Sequence, residues 1–283
     1  MNKKTQHSVS AGISYIILVL LALVMIYPLL WMAGGAFKSN NEIFGSMNLL
    51  PKKPVFNAFR EGWAGSGQVS FGKFILNTFA LVVPTVLFTV VSSVLVGYGF
   101  ARFNFPFKRI IFTIMLSTMM LPATVVIIPR YIFFSKLGWL DTYLPFIVPA
   151  ALGCYPFFTY LMVQFFRGLP MELDESAEMD GCNSFVILVR ILLPLCKSAI
   201  FSVVIFQFVW TWNDFFNVLI YISSVIKYPV ALGLRLSIDI VASNVHWNSL
   251  LALSLVSIIP PVVLFFCAQK YFIEGIATTG MKD

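Results

Sequence analysis

Six apolar stretches, about 11–37, 74–101, 108–132, 142–166, 198–222 and 247–269, take up most of this chain, and their middles carry no charged side chain. Each has the roughly 20 residues a helix needs to cross a ~30 Å hydrocarbon core. Charged residues make up 11% of the sequence, against about a quarter in soluble domains, which excludes a soluble globular fold. The expectation is an all-α polytopic membrane protein with six transmembrane helices, forming one domain over 1–283. The first stretch follows Lys3 and Lys4 but exceeds the ~7–15 apolar residues of a secretory signal, so it reads as a retained helix. An even number of spans puts both termini on one side. Counting positive charges does not choose that side: with the termini inside, ten of the 19 Lys and Arg fall inside and nine outside. The net charge of +7 suits contact with anionic membrane lipid and implies no nucleic acid.

Several kinds of chemistry find no support. The segment 67–73 has the glycine and lysine spacing of a phosphate-binding loop, but Phe74 stands where a Ser or Thr would hold magnesium, and an apolar span follows. His7 and His246 have no partner at metal or triad spacing. Cys154, Cys182, Cys196 and Cys267 match no zinc pattern and read as small buried hydrophobes. No cofactor or metal is therefore expected. Arg130 and Asp214 lie near span ends, so the spans lack the mid-membrane carboxylates on which proton-driven carriers depend. Pro84, Pro122, Pro129, Pro145, Pro149, Pro156, Pro260 and Pro261 fall within spans, where each removes a backbone hydrogen bond and is expected to kink its helix. Kinked helices suit a gated path and also suit simple packing irregularity.

Against this apolar background, the loop 167–197 is conspicuous. Its Glu172, Asp174, Glu175, Glu178 and Asp180 fall on a short predicted helix with Pro170 in its first turn and Gly181 as the left-handed residue that ends it. The pairs Glu172/Glu175, Asp174/Glu178 and Glu175/Glu178 repel, at roughly 0.2–0.5 kcal/mol each. A cationic partner would offset that cost, so the helix reads as a docking element. A second notable segment is 208–216, where Trp210 and Trp212 alternate with Asn213 and Asp214 in the outer half of the fifth span. It could hold a sugar between ring faces and hydrogen-bonding groups, or it could be an interfacial aromatic belt.

The run Glu175-Ser176-Ala177-Glu178-Met179-Asp180-Gly181, followed by Phe185 and Ile191-Leu192-Leu193-Pro194, closely resembles the EAA loop of bacterial ABC importer permeases. The segments 98–103, 137–142, 210–215 and 269–276 are similar to the maltose-type carbohydrate permeases, second permease subunit, so the likeness covers nearly the whole chain. The resemblance implies the ABC type I importer permease fold with six helices, placed in a bacterial cell membrane with both termini cytoplasmic. It implies a homologous second permease subunit, two ATP-binding subunits, an extracytoplasmic solute-binding protein and a carbohydrate substrate. The cytoplasmic loop 167–197 would hold the coupling helix, seated in an ATPase cleft through Leu173, Glu175, Ser176, Ala177, Asp180 and Gly181. The tail 271–283 would lie against the ATPase dimer, and the loop 223–246 would meet the binding protein. On their residue chemistry alone, Trp210, Trp212, Asn213 and Asp214 are the candidates for a substrate path, whereas in some paired importers only the partner subunit touches the sugar. Ser176 in place of the first alanine is a conservative departure. Ser198, where many relatives carry a second proline, is the other. The alternatives are an ion-coupled secondary carrier, or the same importer type carrying glycerol phosphate or an anionic sugar.

Overall fold

In a computed structural model, which describes residues 3–65, 69–239 and 246–279, the chain is helical, with no strand among the described residues. The helices α1 (Lys3–Gly35), α2 (Asn40–Gly45) and α3 (Ala58–Ala64) precede the long α4 (Phe71–Arg102). Next come α5 (Lys108–Thr118), α6 (Ala123–Lys136), α7 (Leu144–Ala151), α8 (Pro156–Gly168) and the acidic α9 (Glu172–Met179). The run Ser184–Leu195 consists of α10 (Ser184–Val186), a π-helical turn (Ile187–Leu192) and α11 (Leu193–Leu195). Finally α12 (Lys197–Trp212), α13 (Phe216–Tyr221), a 3-10 turn (Val225–Lys227), α14 (Val230–Asp239) and α15 (Trp247–Thr279) complete the order. Residues 67–68 of the glycine loop, 240–245 of the long loop and 280–283 of the tail lie outside the described residues.

Against the six spans expected, four stretches among the described residues are long and apolar enough to cross a membrane: Gly12–Gly35, Phe71–Arg102, Leu144–Gly168 and Trp247–Lys270. A fifth results if Ser184–Leu195 and Lys197–Trp212, bent by 80°, are one crossing. The expected span over 108–132 is instead two helices of 11 and 14 residues, each short of a crossing. Pro122 accounts for the break. Its ring disfavours helical backbone at Leu121 and it offers no N–H, so one helix ends at Thr118 and the next begins after the proline. Pro145 and Pro156 likewise start α7 and α8 rather than kinking them. Only Pro84, Pro129, Pro149, Pro260 and Pro261 of the expected eight sit inside helices. Nor is the stretch after Ser223 a plain loop, because α14 occupies ten residues of it.

The chain divides into two compact units. The first comprises Met1–Gly72 and Leu234–Ile259. Here the run Ala33-Gly34-Gly35-Ala36 has a packing reason. A Cβ on Gly34 would stand 2.0 Å from the Leu49 carbonyl oxygen, and one on Gly35 would stand 2.5 Å from Leu251. Ala36, Ala58 and Ala252 form the small core that these close approaches allow, with Phe37, Phe59 and Leu255 packed on it. None of the apolar window of α1 is buried by the rest of the described chain.

The second unit, Lys73–Gly233 with Pro260–Asp283, is organised on α4. That helix inverts the soluble pattern. Leu76, Val83, Leu87, Val91 and Leu95 are exposed, as a lipid-facing stripe should be. Thr78, Thr85, Thr89, Ser92 and Ser93 are buried. Thr78, Thr85 and Thr89 donate to the carbonyls four residues back, at 2.8, 2.7 and 2.8 Å, so small polar groups pack inward without an orphan donor. Ser92 bonds across to Ala150 O at 2.6 Å. At Gly97 an added Cβ would come within 2.7 Å of Met162 Cβ, so α4 and α8 touch nearly backbone to backbone. The main core lies beside that contact, built from Val94, Tyr98, Phe158, Met162, Phe166, Ala177, Ile187, Leu188 and Leu192. Of the four cysteines, Cys196 is buried and Cys182 half-buried, whereas Cys154 and Cys267 are exposed, contrary to a uniformly buried set.

Candidate functional site

The acidic helix forms over Glu172–Met179 with Met171 as its N-cap, so Pro170 lies just before it rather than in its first turn. Glu172, Asp174 and Glu175 occupy the first turn, where the helix dipole favours negative charge. Glu178 falls in the last turn, at the unfavourable end. Gly181 adopts φ 81°. Its N–H donates to Glu178 O at 2.9 Å, and the Cys182 N–H donates to Ala177 O at 2.9 Å. These paired bonds close the helix as a Schellman motif, the role its sequence position predicts.

The helix has two faces. Asp174 and Ala177 point inward, Ala177 into the main core. Leu173 is half-buried. Glu175, Ser176, Glu178, Met179 and Asp180 are exposed, Met179 at 89%. The Ser176 hydroxyl folds back to donate to Glu172 O at 2.7 Å.

Asp174 meets Arg102, the last residue of α4, at 3.0 Å, with both side chains nearly buried. The contact is electrostatic and not an aligned hydrogen bond, since neither Asp174 Oδ2 nor Arg102 Nε has a hydrogen-bond partner. The guanidinium also donates to Leu169 O at 3.2 Å and reaches Met171 Sδ at 3.0 Å. One turn earlier on α4, Tyr98 Oη donates to Ser184 O at 3.1 Å. The end of α4 therefore grips the chain on both sides of the acidic helix. Asp174 has its cation within the chain. Glu172, Glu175, Glu178 and Asp180 belong to neither of the ion pairs among the described residues.

Past the acidic helix, Asn183 caps α10 by accepting the Val186 N–H at 2.9 Å. The π turn follows, with Leu193 N–H bonding to Leu188 O, five residues back. Pro194, which has no N–H, sits where the widened turn gives way to α11. This bend carries the chain into α12.

At the far end of α12, the four residues singled out in 208–216 separate. Trp210, Asn213 and Asp214 line a cavity of about 430 Å³ together with Arg130, Pro145, Phe146, Tyr155, Gln207, Asn217 and Tyr221. Trp212 does not. It is buried against Val82 and Val86, stacks on Phe208 at 5.3 Å and meets Phe79 edge-on. Trp210 packs on Phe157 and Phe158 and keeps 49% of its surface exposed. Asp214 accepts hydrogen bonds from Asn217 N and Nδ2, and Asn213 Nδ2 donates to Val209 O. Of the cavity residues outside the segment 208–216, Gln207, Asn217 and Tyr221 carry a sequence signal: with Trp210 and Asp214 they recur at steps of three and four, the spacing of one helix face.

Beside Tyr221 a polar latch joins two connections. Asp141, at φ 57°, donates its N–H to Tyr221 O at 2.7 Å. Its carboxylate accepts from Lys227 Nζ at 2.7 Å, Ser224 Oγ at 2.6 Å and the N–H groups of Ser224 and Ser223. The Lys227 ammonium, then the Ser224 hydroxyl and N–H, hold the Asp141 carboxyl well below the usual carboxylate range. No group of three or more metal-ligating side chains occurs among the described residues.

The family model described as the binding-protein-dependent transport system inner membrane component matches residues 90–277. The chain is similar to the probable ABC transporter permease protein YurM of Bacillus subtilis, 32% identical over 95% of this chain and 87% of that protein. It is also similar to the galactooligosaccharides transport system permease protein GanQ of Bacillus subtilis, 29% identical over 95% and 94%. Likeness extends to the sn-glycerol-3-phosphate transport system permease protein UgpE of Pectobacterium atrosepticum, 27% identical over 93% and 94%. The fold is similar to a chain in the crystal structure of a bacterial ABC transporter involved in the import of the acidic polysaccharide alginate. That chain aligns with TM-score 0.81 at 22% identity, covering 96% of this chain and 99% of the other.

Proposed function

The chain belongs to the family of binding-protein-dependent transport system inner membrane components, the permeases of ABC transporters, and on that premise we propose that it is one of two permease subunits of an ATP-driven sugar or oligosaccharide importer. Both termini lie in the cytoplasm, α5 and α6 together make the crossing that completes six in the bacterial membrane, and the chain works as one permease domain. Two ATP-binding subunits drive it, and an extracytoplasmic solute-binding protein supplies the cargo. The chain hydrolyses no nucleotide of its own.

The observation that carries the coupling role is the acidic helix. Its outer face presents Glu175, Ser176 and Asp180 with no internal cation, while its inner face is tied to α4 through Asp174 and Arg102. The loop 167–197 is thus an exposed negative peg on a rigid mount. Leu173 and Ala177 support the peg from within, Gly181 turns the chain out of it, and the exposed groups seat in a positive cleft of an ATPase subunit. Closure of the ATPases moves the peg, and α4 and the bend into α12 carry that motion to the spans. By linkage, the loaded binding protein and ATP must favour the same state for one to stimulate the other.

A carbohydrate cargo follows from relatives such as GanQ, the galactooligosaccharides transport system permease protein. The glycerol phosphate reading rests on relatives of similar identity. An ion-coupled carrier would continue to work without ATP, so uptake must stop when ATP is depleted under an intact ion gradient. The docking role is tested by Glu175→Lys, which should abolish uptake with normal membrane insertion. A cysteine introduced by Met179→Cys, with the native cysteines replaced, should crosslink to an ATP-binding subunit. Normal uptake by a well-expressed Glu175→Lys complex would refute the docking role.

A further inference from the structure

We propose that the cavity between α6, α7, α12 and α13 is a sugar subsite that this subunit itself contributes, built for an uncharged polyhydroxylated ligand. The inference rests on the carbohydrate-import reading and adds where the cargo is held and what charge it carries. Its first support is an orphan acceptor. Gln207 is 3% exposed and lines the cavity. Its amide nitrogen donates to Thr211 Oγ1 at 2.8 Å, while its carbonyl oxygen has no hydrogen-bond partner. That oxygen is closed off in this conformation, and a turn of the amide toward the cavity would let it accept a ligand hydroxyl and relieve the penalty of an unpaired buried acceptor.

The second support is charge balance. One cation, Arg130, and one carboxylate, Asp214, line the same cavity, and no other Asp, Glu, Lys or Arg among the described residues does. A phosphate or uronate placed there would gain Arg130 and meet Asp214. A neutral sugar uses both, its hydroxyl oxygens accepting from the guanidinium and its hydroxyl protons going to Asp214 and to Gln207 Oε1. The half-exposed ring of Trp210 and the ring of Tyr155 give flat apolar surface for the C–H faces of a sugar. The volume of about 430 Å³ falls in the ~300–1,000 Å³ range of small-molecule sites.

The test uses the assembled transporter in nanodiscs without its binding protein, titrated with tritiated neutral disaccharides of gluco, galacto and arabino type and with digalacturonate. Whole-cell uptake of the same sugars, dependent on this chain, is measured in parallel. The expected result is that a neutral disaccharide binds and digalacturonate does not, that Gln207→Leu weakens binding about tenfold, and that Asp214→Asn lets digalacturonate in. Assembly of the complex should be unchanged in Gln207→Leu, and Thr211→Val, which removes the same internal bond but keeps the Gln207 carbonyl, should leave sugar binding within about twofold of the unaltered complex, whereas a merely structural role would make the two variants alike. Chain-dependent sugar uptake with no binding to the complex, or with binding that Gln207→Leu leaves unaltered, would overturn the subsite and leave the importer reading standing. Loss of both, with no carbohydrate taken up at all, would overturn the two together.

Discussion

Replacing Arg102 with methionine should detach the acidic helix from α4. The change keeps most of the aliphatic volume and removes the cation, leaving Asp174 as a carboxylate whose side chain is 9% exposed. Breaking a buried ion pair in this way costs about 3–5 kcal/mol, chiefly the desolvation of the charge left behind. The lower end applies here, because the pair is a 3.0 Å contact without an aligned hydrogen bond. About 3 kcal/mol is a factor of roughly 150 in a local equilibrium. An eight-residue helix has little stability of its own, so loss of its tertiary anchor should expose it. Hydrogen exchange across 172–182 should therefore speed up by one to two orders of magnitude, and uptake should fall steeply although the complex still assembles. The double variant Arg102→Met with Asp174→Leu separates the causes. With no orphan charge, much of the protection should return. Unchanged exchange and normal uptake in the single variant would refute the idea that α4 holds this helix through charge.

Two further outcomes follow from local geometry. Gly181→Ala forces a Cβ into φ 81° and should cost about 1–2 kcal/mol at the end of the acidic helix, seen as faster exchange at Cys182 and reduced uptake. The latch at Asp141 has a definite pH sign. A carboxyl whose folded pKa is depressed contributes stability above its unfolded value, near 4, and loses it as pH falls through the folded value. Thermal stability contributed by the latch should therefore be flat between about pH 5 and 8 and fall only in strong acid, and Asp141→Asn should remove that acid dependence.

Long-range partners were the part of the structure hidden from the sequence. The apolar stretches announce a helical membrane protein because a span needs only its own residues. The Schellman close at Gly181 is equally local, requiring one glycine in one place. The break at Pro122 is encoded too, yet a count of apolar residues passes over it. Arg102 lies 72 positions before Asp174, and spacing rules that compare residues three or four apart saw only repulsion at Asp174. For the same reason Trp212 looked like its neighbour Trp210, although a step of two along a helix turns it into the core. Ala177 carries the matching lesson: in a motif of small residues, smallness served packing within this chain.

The hydroxyl stripe of α4 has a mechanical consequence. Thr85 and Thr89 spend their protons on their own backbone, so neighbouring helices can slip along that part of the rod with no polar bond to exchange. Thr78, which accepts the Val230 N–H, and Ser92, which reaches Ala150, are the two places on the stripe where a foreign element is tied on. Motion arriving at the Arg102 end would glide past the threonines and pivot at those two knots.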